Sequence, residues 1–311
     1  MNSPWKRHKG KMVYILAAFV ISLSSVLFLT GCISNIDSSS ALKAAADFSQ
    51  ESRSQATSEG KLRVSYIDVG QGDSSLIQLP NGKTILIDAG ENDQGNKVVS
   101  YLKSQGIKRL DVTIWTHPHS DHIGGADVIT NAFDIGQVVM PKETSTTQSF
   151  RSLITSISRK GLRITEAKAG LNLDLGPEVK AEILAPNSSN YEEVNNYSAV
   201  LKLTYIETSF LFMGDAQTES EEEMINAGFD LKADILKVGH HGSRTSTSAR
   251  FLSLVHPKYA VISAGKDNPY GHPSASTIAK LQKAGATIFR TDQSGTITAE
   301  SDGKNISIKG R

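Results

Sequence analysis

Three of the chain's eight histidines fall within six residues, His117-Pro118-His119-Ser120-Asp121-His122, directly after the apolar run Leu110–Trp115. Few polar clusters are so demanding. Imidazoles crowded at the tip of a buried strand repel one another when protonated, and a carboxylate beside them is costly to desolvate unless something positive lies between them. Alternation along the strand extension sends His117 and His119 to one side. Asp121 and His122 then open a helix that ends the loop at Gly124-Gly125. Two imidazoles for one cation, and a carboxylate with an imidazole for a second, make a plausible dinuclear site.

Two later segments repeat the pattern of an apolar strand running into potential ligands. Phe210-Leu211-Phe212-Met213 leads to Gly214-Asp215, where a carboxylate can bridge two cations or merely cap the helix expected from Thr218. Leu236-Lys237-Val238-Gly239 leads to His240-His241. Adjacent residues of an extended segment point opposite ways, so one of the pair meets the metals. The reading favours His240, with His241 as a substrate contact or an outer support. A fourth segment, Asn268-Pro269-Tyr270-Gly271-His272-Pro273, offers His272 as a phosphate contact or proton donor.

The N-terminus has a different character. Lys6, Arg7, Lys9 and Lys11 precede an apolar run over 12–29, and Leu29-Thr30-Gly31-Cys32 follows. That order is the pattern of an export signal. It resembles the lipobox of bacterial lipoproteins, which implies a signal peptide over 1–31 and lipidation of Cys32, the chain's one cysteine. A Ser-, Ala- and Gln-rich stretch over 32–60 reads as a flexible tether with a short helix near 41–48, and 61–311 as the globular domain. The expected location is the outer face of a bacterial cell membrane, held by lipid, with no protein partner required. No acidic residue precedes Asp37, so the rest of the chain has fewer basic than acidic residues despite a net charge of +1. Such a domain has no global field for nucleic acid, and any polyanion must be held locally.

Within 61–311, hairpin-rich strands alternate with amphipathic helices in both halves, and Asn81-Gly82 marks a hairpin between strands at 75–79 and 84–88. A helix is expected over 273–284, with Pro273 at its start. The pattern predicts an α/β fold of two sheets packed face to face with helices outside.

These motifs together resemble the metallo-β-lactamase superfamily, and within it the hydrolase domain of ComEC-type competence proteins. The resemblance rests on Asp68-Val69-Gly70-Gln71-Gly72-Asp73-Ser74, Ile87-Asp88-Ala89-Gly90, the His117–His122 cluster, Asn195-Asn196-Tyr197-Ser198, Gly214-Asp215, His240-His241-Gly242-Ser243 and Tyr270-Gly271-His272-Pro273. It implies an αββα four-layer sandwich and two divalent ions, zinc or manganese, held by His117, His119, Asp121, His122, Asp215 and His240. Asp88, Asp73, Asn196 and Ser198 would support them. Catalysis would fall to Asp121, His241 and His272. Most of the superfamily carries another histidine between the cluster and the bridging aspartate. Here 123–214 has none, and Asn195, Asn196 and Ser198 stand in that region. The implied activity is phosphodiester hydrolysis, with DNA among the substrates. A cell-wall phosphocholine, ester or lactam hydrolase, or a non-catalytic binding lipoprotein, are the other readings.

Overall fold

The computed structural model describes residues 60–310. The expected signal segment, Cys32, the helix near 41–48 and all of the tether but Gly60 lie outside them. Among the described residues no helix is long and apolar enough to cross a membrane.

The first half builds one sheet. Strands β1 (Leu62–Tyr66), β2 (Ser75–Gln78) and β3 (Thr84–Ile87) form an antiparallel meander, with Gln78 opposite Thr84 across the Asn81-Gly82 turn. Helix α1 (Gly95–Ser104) crosses over to β4 (Arg109–Ile114). The short helices α2 (Ser120–Ile123) and α3 (Ala126–Ala132) lead to β5 (Asp134–Met140), and α4 (Gln148–Arg159) leads to β6 (Ile164–Glu166). Strands β3, β4, β5 and β6 are parallel.

The second half builds the other sheet from β7 (Leu171–Leu173), β8 (Val179–Ala185), β9 (Val200–Tyr205), β10 (Thr208–Phe212), β11 (Ile235–Lys237), β12 (Tyr259–Ile262) and β13 (Thr287–Arg290). Helices α5 (Thr218–Asn226), α6 (Ala249–Val255) and α7 (Ala275–Lys283) connect its parallel members. After the turn α8 (Thr291–Ser294), strands β14 (Ile297–Ser301) and β15 (Ile306–Lys309) return to the first sheet, where β14 pairs with β1. By sequence order this last hairpin follows the second half. It leaves because β1 otherwise presents an unpaired row of backbone groups at an edge. The expected helix at Pro273 also begins later: Ser274 is its cap, accepting from Thr277 N–H, and Pro273 stands outside.

Three apolar clusters mark the layers. Leu62, Val64, Ile85, Ile87, Leu201, Leu203, Phe210 and Phe212 pack between the sheets. Val98, Leu102, Ile129, Leu153 and Ile157 seat helices on the outer face of the first sheet. Met224, Phe251, Leu252 and Leu281 do so on the second. Alternation does the sorting: Phe210 and Phe212 face the sheet interface while Leu211 and Met213 face helices. The result is the expected αββα sandwich. At one edge it gathers the C-terminal ends of β3, β4, β5 and β6 and those of β8, β10, β11 and β12, along with the start of β9.

One close packing fixes that edge. Gly124, between α2 and α3, sits so near the 91–92 backbone that a methyl group there would collide with Glu91, Asn92 and Ser120 main-chain atoms. Overpacking of this kind costs about 1–3 kcal/mol. Gly124→Ala should therefore lower thermal stability by that amount, measured by calorimetry, and an unchanged stability would contradict this packing.

Candidate metal centre

Each functional side chain hangs from a strand end and is held from behind. Leaving β3, Asp88 takes a positive φ of 58° and turns its carboxylate under the His117–His122 loop. There it accepts from Thr116 N–H (2.8 Å), Thr116 Oγ1–H (2.7 Å) and His122 Nδ1–H (2.7 Å). The Thr116 hydroxyl proton is thereby spent, so its oxygen accepts from His117 Nδ1 at 3.2 Å. Both imidazoles thereby aim Nε2 into the site. Asp88 is wholly buried and fully engaged, which suits an orienting group and not a ligand.

Asp215 enters from the end of β10. Its N–H donates to Ser198 Oγ (3.0 Å), which also lies 3.3 Å from His117 Nδ1. It does not cap α5: Gln217 holds the cap position without a side-chain bond. Asn196 instead ties that region together, accepting from Gln217 N–H (3.1 Å) and donating to Glu219 Oε2 (2.7 Å).

The structure brings His117, His119, Asp121, His122, Asp215 and His241 to one point. His117 Nε2 is 3.0 Å from His119 Nδ1 and 4.0 Å from Asp215 Oδ2. His122 Nε2 is 3.2 Å from Asp215 Oδ1 and 3.9 Å from Asp121 Oδ2. His241 Nε2 is 3.2 Å from Asp121 Oδ2 and 3.4 Å from Asp215 Oδ2. The sequence favoured His240, whereas the structure sets the His241 ring nearer the carboxylates. The segment is not an extended strand but a tight 3-10 turn, with both residues at positive φ (50° and 52°). That turn buries His241 and leaves His240 partly exposed at the rim, 3.8 Å from Asp215 Oδ2 and 3.1 Å from Thr245 Oγ1. Alternation does not apply to such a backbone.

His241 is anchored by Nδ1–H donation to Ser263 O (3.0 Å), with Asp73 Oδ1 3.5 Å away. Asp73 in turn accepts from the buried Lys237 Nζ at 2.8 Å. Lys237 shares the sheet-interface face of β11 with Ile235, two residues before it. Sequence reasoning assigned it no part, although a lone positive charge in the largely apolar run 233–238 was the available signal. A methyl group on Gly72, at φ 121°, would collide with the Asp121 carbonyl oxygen, so this turn also sets the Asp121 backbone.

His272 stands apart from the donors. Its ring stacks on Tyr270 (centroids 5.8 Å) and meets His240 edge-on (5.4 Å), lining a cleft of about 370 Å³ with Gln71 and Asn195. Glu91 and Thr147 also line it, and nothing in their local sequence signals this.

Charge is the governing problem. Burial opposes ionisation of Asp215, but His122 and His241 beside it hold its carboxyl well below the usual range. Conversely, burial alone would discharge His122 and His241; the carboxylates, Asp215 first, raise both well above an ordinary imidazole. Burial, together with the His122 charge, depresses His117. Burial also pushes His272 down to about 4, so its ring is neutral near pH 7. Asp73 is lowered to about 2 because Lys237, His241 and His122 outweigh its burial.

Cations fit this arrangement. His122 Nε2 and Asp215 Oδ1 are buried without a hydrogen-bond partner although they face each other. Ligand atoms bound at about 2.1 Å stand about 3.0–3.4 Å apart in tetrahedral or octahedral sites. The separations around His117, His122 and His241 fall in or near that range. Asp121, His122, Asp215 and His241 form a set whose donor atoms all lie within 4.8 Å of one another.

Comparison with known proteins agrees with this geometry. Residues 67–266 match the model of the Metallo-beta-lactamase superfamily. ComE operon protein 3 of Bacillus subtilis (strain 168) is 35% identical over 258 residues, covering 78% of this chain and 33% of that protein. Competence protein ComA of Neisseria gonorrhoeae is 31% identical over 247 residues, covering 79% and 33%. The chain thus spans about a third of the length of these relatives. In fold it is similar to the Bacillus subtilis metallo-beta-lactamase fold protein YhfI, with a TM-score of 0.51 at 11% identity over 81% of this chain and 100% of that one. A diiron β-hydroxylase from Streptomyces venezuelae, CmlA, gives 0.51 at 15% identity over 82% and 55%. By its matched sequence, its two-sheet fold and its converging histidines and aspartates, the chain belongs to the metallo-beta-lactamase superfamily, with ComEC-type competence proteins among its homologues.

Proposed function

We propose that the chain is a phosphodiesterase using two divalent ions, zinc or manganese, and that it works at the outside of a bacterial membrane. Membership in a family of metal-dependent hydrolases supports the reaction class, and the competence proteins among its relatives support the cell envelope and a phosphodiester such as DNA. The lipid anchor at Cys32 rests on the sequence alone. The observation that carries the reading is a pair of buried ligand atoms without hydrogen-bond partners, His122 Nε2 and Asp215 Oδ1, of which Asp215 reaches the wall of the cleft.

In this reading His117, His119 and Asp215 would hold one ion, and Asp121, His122, Asp215 and His241 the other. Bound cations would lower the pKa of water and offset charge developing on the phosphoryl oxygens. The chain's own part is orientation. Asp88 and Ser263 fix the ring protons of His122 and His241 on Nδ1, so Nε2 points inward without further reorganisation. His240 and His272 occupy the rim, where a departing oxygen would lie. His272, neutral near pH 7, donates a hydrogen bond there and does not carry the proton as a charged acid. His241, set among the ligand atoms, gives up the catalytic role expected for it, and His240 takes that place.

Turnover of bis-p-nitrophenyl phosphate tests the reading. A chelator and Asp121→Ala should each abolish it. His241→Ala should weaken metal affinity by roughly tenfold to a hundredfold or more, while His240→Ala should keep the metal and lose turnover. Full activity after the metal is stripped contradicts the proposal, as does nitrocefin turnover without phosphodiester turnover.

The electrostatics give a second test. His122 and His241 are raised above an ordinary imidazole, so both carry protons at neutral pH until a cation displaces them. Metal affinity must then fall as pH falls, by up to about tenfold per displaced proton per pH unit. Calorimetry at pH 7 in buffers of different ionisation enthalpy should show proton release on metal binding. Buffer-independent heats would refute that.

A further inference from the structure

The edge that gathers the metal ligands continues past them. In the first sheet β5 and β6 lie beside β4 and run parallel to it. Pairing persists beyond their ends, since Trp115 N–H donates to Val139 O and Ala167 N–H to Met140 O. Lys142 and Lys168 follow the ends of β5 and β6 as His117 follows the end of β4. Opposite them the second sheet presents the end of β8 and the start of β9. Ala169 N–H donates to Pro186 O, and Ala199 N–H to Thr116 O, joining the two sheets along this rim.

Between these ends lies a groove of about 700 Å³. Its lining includes Lys142, Lys168, Asn187 and Ser189, with Glu166 as its single carboxylate. Both lysines are exposed, and among the described residues neither ammonium group enters an ion pair or hydrogen bond. The groove and the metal cleft share one short 3-10 turn, Val194–Tyr197: Asn195 lines the cleft and Tyr197 the groove. At the far side of the cleft Tyr270 is 66% exposed, its ring backed by His272.

We propose that this groove is a subsite for the phosphate flanking the scissile one, so that the substrate is a single-stranded nucleic acid threaded along the sandwich edge. The inference rests on the phosphodiesterase reading above and deepens it. Two unpaired ammonium groups beside neutral amides and hydroxyls recognise a phosphodiester backbone, and an exposed aromatic ring offers a stacking surface for a base. A polyol phosphate would use the lysines but gain nothing from Tyr270. The rest of the chain is slightly acidic, so the attraction is confined to this groove.

The test is the doubly substituted chain Lys142→Ala/Lys168→Ala, with metal content as a control. Its anisotropy with a fluorescein-labelled oligodeoxythymidine should show binding weakened roughly fivefold to tenfold. The slope of log Kd against log salt should fall by about 0.7 for each phosphate no longer neutralised. Turnover of bis-p-nitrophenyl phosphate, too small to reach the groove, should be unchanged. An unaltered salt slope and affinity overturn the subsite. Binding of poly(glycerol phosphate) as tight as that of the oligonucleotide overturns the nucleic-acid assignment. If the unsubstituted chain hydrolyses no phosphodiester, the functional reading fails, and anisotropy still reads the groove independently.

Discussion

Everything at this site depends on how a buried cluster of carboxylates is neutralised. Asp73, Asp88 and Asp215 are all buried, and Asp121 is partly so. An uncompensated charge in such a setting costs several kcal/mol. The chain divides the work. Lys237 neutralises Asp73 permanently, and backbone and hydroxyl donors satisfy Asp88. Asp121 and Asp215 have only imidazoles to face, those of His122 and His241 nearest. Protons can serve as their counterions, but so can divalent cations, and cations also satisfy the bare donors that protons leave crowded.

The sandwich makes this cluster possible. Its two sheets bring the ends of β4, β10 and β11 to a common edge, so three segments far apart in sequence contribute donors without any long loop. Rigid strands hold first the ligands and then the groups behind them, Asp88, Ser198 and Ser263. The fold alone does not fix the chemistry, since a diiron β-hydroxylase shares it. The reaction must be argued from the side chains and the shape of the cleft.

The sequence made much of this legible. Strands that end in histidine or aspartate announced the donors, and alternation announced the two sheets. It could not sort the rings where backbone conformation departs from extended geometry: His240 and His241 sit at positive φ, so the strand rule does not apply to them. It was silent where a role depends on an unrelated segment. Lys237 matters because Asp73, 164 residues away, closes against it. The return of β14 to β1 was equally hidden, because an edge strand's partner is chosen by geometry and not by local pattern.

The most direct test is anomalous diffraction from crystals of the chain grown with manganese, recorded on both sides of the metal edge. Two peaks should appear between His117, His119, Asp121, His122, Asp215 and His241, with the His240 ring outside bonding distance. A map with no anomalous density among these residues, or with metal held by His240 and not His241, would contradict the account.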